Sequence, residues 1–450
     1  MRQSGSSSNE NFLVLTDCQN QAIAQALVEA KSSYVAANAR SCEQHLKAAK
    51  VLPGGNTRSV LFNEPFPITL AAGLGCRITS LDGQEYIDFL GDYTAGLYGH
   101  SDPTLRQALI AALDHGWVMG GHIRLEEELA RLICARFASI DLVRFTNSGT
   151  EANLYAISAA RTISGRRKVM VFEGAYHGGV FMFGDKPSPL NAPFEFVTGP
   201  YNDVDGTRAL LDKYRDEIGT IVIEPMQGSG GCIPADKVFL QMLRDRADTN
   251  GALLIFDEVM TSRLSPGGLQ AVHGIAPDLT TLGKYVGGGL SFGAFGGRAA
   301  VMRRFDPLQP DAFSHAGTFN NNVFTMSAGV AGLRDVYTPS AATALNARGD
   351  VLRHRLNTVA QKARFPMQFT GLGSMMNVHM CGGTIHSVRD LERRATSLSD
   401  LFYFQMLNNG VWLARRGMIN LSLPIGDAEC GQLVHAVEIF VESCNRTIGD

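Results

Sequence analysis

At 450 residues the chain can bury a substantial core, and length alone suggests two or three lobes rather than one small module. Hydrophobic residues make up 45% and charged residues 18%, with a formal net charge of −3, so the composition is that of an ordinary globular protein and points to neither nucleic acid nor an anionic membrane as a partner. Eight scattered cysteines, with no CxxC pair and no His/Cys spacing of a metal site, predict reduced, mostly buried thiols and no metal centre.

The polar N-terminus MRQSGSSSNENF lacks an apolar signal core, and no uncharged apolar run of about 18 residues follows it; the expectation is a cytoplasmic protein with residues 1–20 as a flexible tail. From Gln19 to Lys50 apolar residues recur near the 3.6 period, predicting a helix that lies across the body or a partner subunit. The stretch LFNEPFPITLAAGLGCRITSLDGQEYIDF alternates short β-like runs with turn signals and predicts a small meander of strands. Residues 21–100 are thus an N-terminal segment contributing to a small domain.

From about residue 101 the texture becomes that of an α/β protein. VRFTN, KVMVFEG, TIVIEPM, ALLIFDEV and LTTLGK are short, near-continuously apolar runs, as expected for strands buried on both faces of a mostly parallel sheet. Helices are predicted between them, over Glu151–Thr162 after the SGT turn and over Lys237–Thr249 before Gly251. Residues 101–330 form the predicted large domain. Beyond them, longer amphipathic helices and a short strand pair around VWLARRG and INLSLP predict a smaller α+β domain over 331–450.

Four features carry chemistry. In LIFDEV a buried strand ends in Asp257 and Glu258, and an acid at the carboxyl end of a parallel strand lies where ligands bind in open α/β sheets. There it can keep a ring nitrogen protonated and make a pyridinium an electron sink. In LGKYVGGG, Lys284 sits in an apolar, glycine-flanked setting, where desolvation lowers its pKa and frees the amine to form a Schiff base with a carbonyl. Tyr285 follows it, so the GK pair lacks the Ser or Thr that a nucleotide phosphate loop requires. In TNSGTEAN, Ser148, Gly149 and Thr150 turn a strand into a helix whose free amides suit a phosphate. In GAYHGG, Tyr176 can stack on a flat ring. Singly each has a structural reading: a solvated strand end, a surface lysine, a capping box, a packed loop tyrosine. Together, in chain order, they supply what a pyridoxal phosphate site requires.

On RFTNSGTEAN, YHGG, IEPMQG, FDEVMTSR, LGKYVGGG, GAFGGR and GTFNNN the chain, from about residue 45 onward, resembles the class III (ω-) aminotransferases and the related glutamate-1-semialdehyde aminomutases. PGGNTRSVLF, DYTAGLYGH and RRGMINLSLP look like the members that act on aromatic β-amino acids. The resemblance implies the fold type I of pyridoxal-phosphate-dependent transferases, aspartate aminotransferase-like, with a large, mostly parallel-sheet domain and a smaller α+β domain. It implies that Lys284 and Asp257 are catalytic. Ser148, Gly149, Thr150, Tyr176, Glu224, Asp257, Val259 and Lys284 would bind pyridoxal 5'-phosphate, with Thr318 added from the other subunit of a homodimer with shared active sites. Met260 stands where many members have Gln, as it does in the aminomutases, which counts against a simple diamine or ornithine donor.

The substrate carboxylate calls for an arginine, and Arg58 and Arg416 match by motif, with Arg415 adjacent. His100, His122 and His315 read as structural. The implied activity moves the amino group of a β-amino acid to 2-oxoglutarate or pyruvate by a ping-pong route. The rivals are an aminomutase that moves nitrogen within one substrate, and a catalytically silent cofactor- or phosphate-binding protein.

Overall fold

Long runs of buried apolar residues organise the middle of the chain. In the computed structural model, which describes residues 16–184 and 186–449, Ile218–Ile223, Leu253–Asp257 and Leu279–Gly283 are buried at every position. Strands covered on both faces have no polar side to alternate with. They belong to one seven-stranded sheet.

The strands introduced here are, in chain order, β1 (Leu70–Leu74), β2 (Arg77–Ser80), β3 (Glu85–Asp88), β4 (Leu142–Thr146), β5 (Lys168–Phe172), β6 (Glu195–Gly199), β7 (Ile218–Ile223), β8 (Leu253–Asp257), β9 (Leu279–Gly283) and β10 (Gly293–Gly297). The large sheet runs β4-β10-β9-β8-β7-β5-β6, parallel throughout except for β10, which is antiparallel to both β4 and β9. All five predicted apolar runs are strands of it. Strand β10, GAFGG, carried no strand signature because three of its five residues are glycine. Close approach requires them: a Cβ on Gly293 would lie 2.1 Å from the Ser148 carbonyl oxygen and one on Gly297 2.1 Å from that of Asp278. Helix α1 (Gly149–Ser164) follows β4 and packs across β7, β8, β9 and β10, its inner face made of alanines, Asn153 and Ile157.

The predicted meander is β1-β2-β3, antiparallel in register. The predicted helix before it is present as two, Asp17–Ala37 and Ala39–Ala48, and the first begins earlier than expected, so residues 17–20 are helical rather than tail; residues 1–15 lie outside the described residues. Towards the C-terminus stand β11 (Gln368–Leu372), β12 (Met375–His379), β13 (Val411–Trp412) and β14 (Met418–Asn420). The expected pairing of VWLARRG with INLSLP does not occur. β13 adds in parallel to β3, while β14 adds to β12 in a separate three-stranded sheet. Between them Gly417, at φ 95°, closes a turn in which its N–H donates to Ala414 O at 2.7 Å. That turn sends the chain from one sheet to the other.

One fully buried cation ties these parts together. Arg263, just past β8, donates through Nε to Ser374 Oγ at 3.1 Å and through Nη2 to Leu421 O, while its own carbonyl accepts from Tyr337 Oη and Asn346 Nδ2. Burial pushes its pKa down. Arg263→Ala would leave a buried hydroxyl and a buried carbonyl without their donor, at about 1–3 kcal/mol each, so a lowered midpoint of thermal unfolding is expected by calorimetry.

Candidate active site

Ser148, Tyr176, Glu224, Asp257 and Lys284 each lie at or just past the carboxyl ends of the parallel strands β4, β5, β7, β8 and β9, where an open α/β sheet forms its ligand crevice. The first wall is the start of α1. Ser148 caps it, its Oγ accepting from Glu151 N at 3.2 Å, and Thr150 Oγ1 accepts from Gly179 N at 3.2 Å. A Cβ on Gly149 would lie 2.8 Å from Val259 Cγ2, and one on Gly178 would lie 2.4 Å from Thr150 Oγ1, so both glycines are forced by close approach. Ser148, Gly149 and Thr150 thus meet Val259 and the GAYHGG loop at a helix N-terminus, which can hold an anion such as a phosphate.

Asp257 is 4% exposed, and a carboxylate so buried needs partners. Its Oδ2 accepts from Asn153 Nδ2 at 2.9 Å and lies 2.8 Å from His177 Nδ1, while Oδ1 accepts from Val259 N at 3.0 Å. Thr281 Oγ1 in turn donates to Asn153 Oδ1 at 2.8 Å, extending the network into β9. His177 Nε2 is buried without a hydrogen-bond partner among the described residues. Glu224 accepts from Tyr176 N and Gly228 N, each at 2.9 Å, and so fixes the backbone of the stacking candidate. Burial raises its pKa to about 7, a rise that His177 opposes and Asp257 reinforces. Tyr176 itself stays 41% exposed, an aromatic face free to cover a flat ring.

Lys284 opens the turn after β9 at φ 57°, a left-handed conformation uncommon for a lysine and of the kind that accumulates at functional sites. Its Nζ donates to Tyr93 O at 2.8 Å. Burial lowers its pKa to about 8, against Asp92 and Asp257, which raise it, and with Arg416 and Arg58, which lower it further. A primary amine with this pKa is available as the neutral nucleophile close to neutrality.

Arg58 and Arg416 both lie near enough to that amine for their charge to act on it. Arg58 pairs with Asp92, Nη2 to Oδ1 at 2.8 Å, and the Arg416 guanidinium lies 4.7 Å from the centre of the Tyr93 ring. Arg416 also lines a cleft of about 880 Å³ with Tyr176, Gly231 and His379. The adjacent Arg415 instead makes a two-point ion pair with Asp400 at 2.8 and 2.9 Å, while Arg416 lines the cleft. Thr318 sits in an exposed loop.

Of the remaining histidines, His100 lies 3.0 Å from Asp88 Oδ2, His122 is fully exposed, and His315 packs edge-on against Tyr155 with its pKa lowered by burial to about 4. Sequence reasoning passed over Asn153, His177, Asp92 and Tyr93 as partners. Asn153 had a signal, a lone amide among the alanines of TEANLYAISAA; the others lie in quoted motifs with nothing in their spacing to mark a role. Asn153→Ala removes three buried hydrogen bonds, to His177 O, Asp257 Oδ2 and Thr281 Oγ1, and a loss of about 1–3 kcal/mol in stability is expected from denaturant unfolding.

The family model for class-III aminotransferases matches residues 62–438. The beta-phenylalanine transaminase of Variovorax paradoxus is 51% identical over 420 residues, covering 93% of this chain and 96% of that protein. The crystal structure of the beta-phenylalanine aminotransferase from that organism aligns with a TM-score of 0.92 over 94% of this chain and 98% of that one. A glutamate-1-semialdehyde 2,1-aminomutase of Bacillus licheniformis is 35% identical over 421 residues, 89% of this chain and 97% of the other. A transaminase solved with pyridoxal phosphate bound aligns at 31% identity with a TM-score of 0.84, over 92% and 98% of the two chains. With its mixed seven-stranded sheet and an amine and a carboxylate at that sheet's carboxyl edge, the chain belongs to the class-III aminotransferase family.

Proposed function

We propose that this aminotransferase is pyridoxal-phosphate-dependent and takes its amino group from an aromatic β-amino acid, passing it to 2-oxoglutarate or pyruvate. The reading rests on one observation above all: a turn at residues 91–94 draws together Lys284, Arg58 and Arg416, with Tyr93 O accepting from the Lys284 amine, Asp92 pairing with Arg58 and the Tyr93 ring lying under Arg416. The 51% identity to a beta-phenylalanine transaminase supports the donor class. An aminomutase reading has weaker support, at 35% identity.

The residues present fit the cofactor. The start of α1 with Ser148, Gly149 and Thr150 suits its phosphate, Asp257 its ring nitrogen, Tyr176 and Val259 its two faces, and Lys284 its aldehyde. When bound, the cofactor supplies a carbonyl that condenses with amines and a protonated ring that takes up the electron pair left as a proton departs from the donor carbon. Asp257, fixed by Asn153, His177 and the Val259 amide, holds negative charge at one point with its orientation set in advance. Lys284 would hold the cofactor's aldehyde through its amine and, once the donor's amine has taken its place, would serve as the base that accepts the proton from the donor carbon and returns it to the cofactor. Arg58 takes the donor's carboxylate; Arg416 takes a carboxylate of the acceptor, and its place over Tyr93 lets the same volume receive an aromatic side chain. A homodimer would bring Thr318 of a second copy to the phosphate.

Absorption spectra of the holoenzyme test the whole reading. The visible band of the bound cofactor should vanish on adding β-phenylalanine and return on adding 2-oxoglutarate, and Lys284→Ala should abolish turnover. A band that ignores β-amino acids but responds to other amines would overturn the donor and keep the chemistry.

A pH dependence follows from Lys284. Its neutral form attacks, and its pKa is lowered to about 8 chiefly by burial, with Asp92, Asp257, Arg416 and Arg58 as charged neighbours. Uptake of cofactor by the apoprotein should therefore speed up as pH rises towards about 8 and level off above it, measured by stopped-flow absorbance.

A further inference from the structure

Residues 91–94 form a left-handed turn. Gly91, Asp92, Tyr93 and Thr94 have φ of 53°, 41°, 53° and 81°, so three consecutive side-chain-bearing residues lie in a region that L-residues seldom enter. Their surroundings over-determine them. Asp88 Oδ1 accepts from the amides of Leu90 and Gly91, both at 2.9 Å, and Asn420 Nδ2 donates to Leu90 O at 2.9 Å. Gly96 N closes onto Gly91 O at 2.8 Å. Strain held in this way is retained where it aims something.

What it aims is on the outer side. Tyr93 O accepts from Lys284, Tyr93 Oη donates to Val60 O at 3.3 Å, and Asp92 Oδ1 accepts from Arg58 Nη2 at 2.8 Å. The segment carrying Arg58 is therefore tied to the turn at two points. The Asp92 contact engages one nitrogen of the guanidinium, and an arginine has five N–H donors in a planar fork. The opposite edge remains for another carboxylate.

We infer that Asp92 is a positioning residue for substrate binding, holding one Nη of Arg58 so that the free edge of the guanidinium meets the donor's carboxylate. This deepens the proposed function and rests on its assignment of Arg58. Asp92 bonds to Arg58, and it bears on Lys284 only through its charge, so its hold on Arg58 is read in the binding constants and its charge effect separately in the pH profile.

The test is Asp92→Asn, which removes the charge yet keeps an acceptor and a residue type that tolerates left-handed φ; the fold is thereby preserved where Ala would add strain. Kinetics with β-phenylalanine and inhibition by 3-phenylpropanoate, which has the carboxylate but no amine, are measured in the holoenzyme, for Asp92→Asn, Arg58→Gln and the double variant. Expected for Asp92→Asn are a KM and an inhibition constant each raised up to about fivefold, the upper range for a half-exposed ion pair, with cofactor affinity unchanged and the pH profile of cofactor uptake moved to lower pH, because the charge that raises the Lys284 pKa is gone. The double variant should be no worse than Arg58→Gln alone. If Arg58→Gln raises both constants and Asp92→Asn raises neither, the inference falls and the role of Arg58 stands. If Arg58→Gln raises neither, both fall. A loss of kcat and cofactor affinity together in Asp92→Asn would mean a general structural role, and would also overturn it.

Discussion

A carboxylate at the end of a buried strand is costly to keep, and the architecture around Asp257 is arranged to meet that cost. Two side chains and one amide converge on it, drawn from α1, from the loop after β5 and from its own strand end. Each partner is held in turn: Asn153 by Thr281 on β9, and the loop backbone beside His177 by Glu224 after β7. The carboxylate thus pins the relative positions of four strand ends. Glycines at 149 and 178 are part of the same constraint, because the helix start, Val259 and the loop approach too closely for a side chain at either position.

The cations are organised by a different device. Lys284, Arg58 and Arg416 come from segments more than 120 residues apart in sequence, and three like charges in one cleft repel. Tyr93 lies against all three segments without adding charge of its own: its carbonyl takes the amine, its ring face the Arg416 guanidinium, its hydroxyl the backbone at Val60. A left-handed turn lets one residue point carbonyl and ring to different neighbours. Asp92 supplies the negative charge nearest Arg58.

Much of this was legible in the residues. The apolar runs ending in Asp257 and Lys284 betrayed both the parallel sheet and its carboxyl edge, although each residue alone also read as a solvated strand end or a surface lysine, and only the four motifs together pointed to a site. Strand β10 was hidden by its glycines, whose role is to let neighbouring backbones close in rather than to favour a strand. The separation of β13 from β14 was hidden as well, since two short apolar runs joined by ARRG look like a hairpin until β3 is available to compete for the first. Asp92 and Tyr93 could not be read as functional because the signal is a dihedral angle, and nothing in GDYTAG states it. Arg416 could be separated from Arg415 only by what each side chain meets, Asp400 for Arg415 and the cleft for Arg416.

The pairing of β13 with β3 also bears on synthesis. Residues 85–89 receive their neighbours from Gly410 and Trp412, and Leu90, which leads into the left-handed turn, is held by Asn420. During translation the early meander must wait for a strand made more than 320 residues later. A nascent chain can assemble the large sheet and its buried carboxylate on the ribosome, but the cation pocket closes only once the last helix is emerging. Truncated products lacking residues beyond 410 would carry Lys284 without Arg416, and with the β3 edge left unpaired.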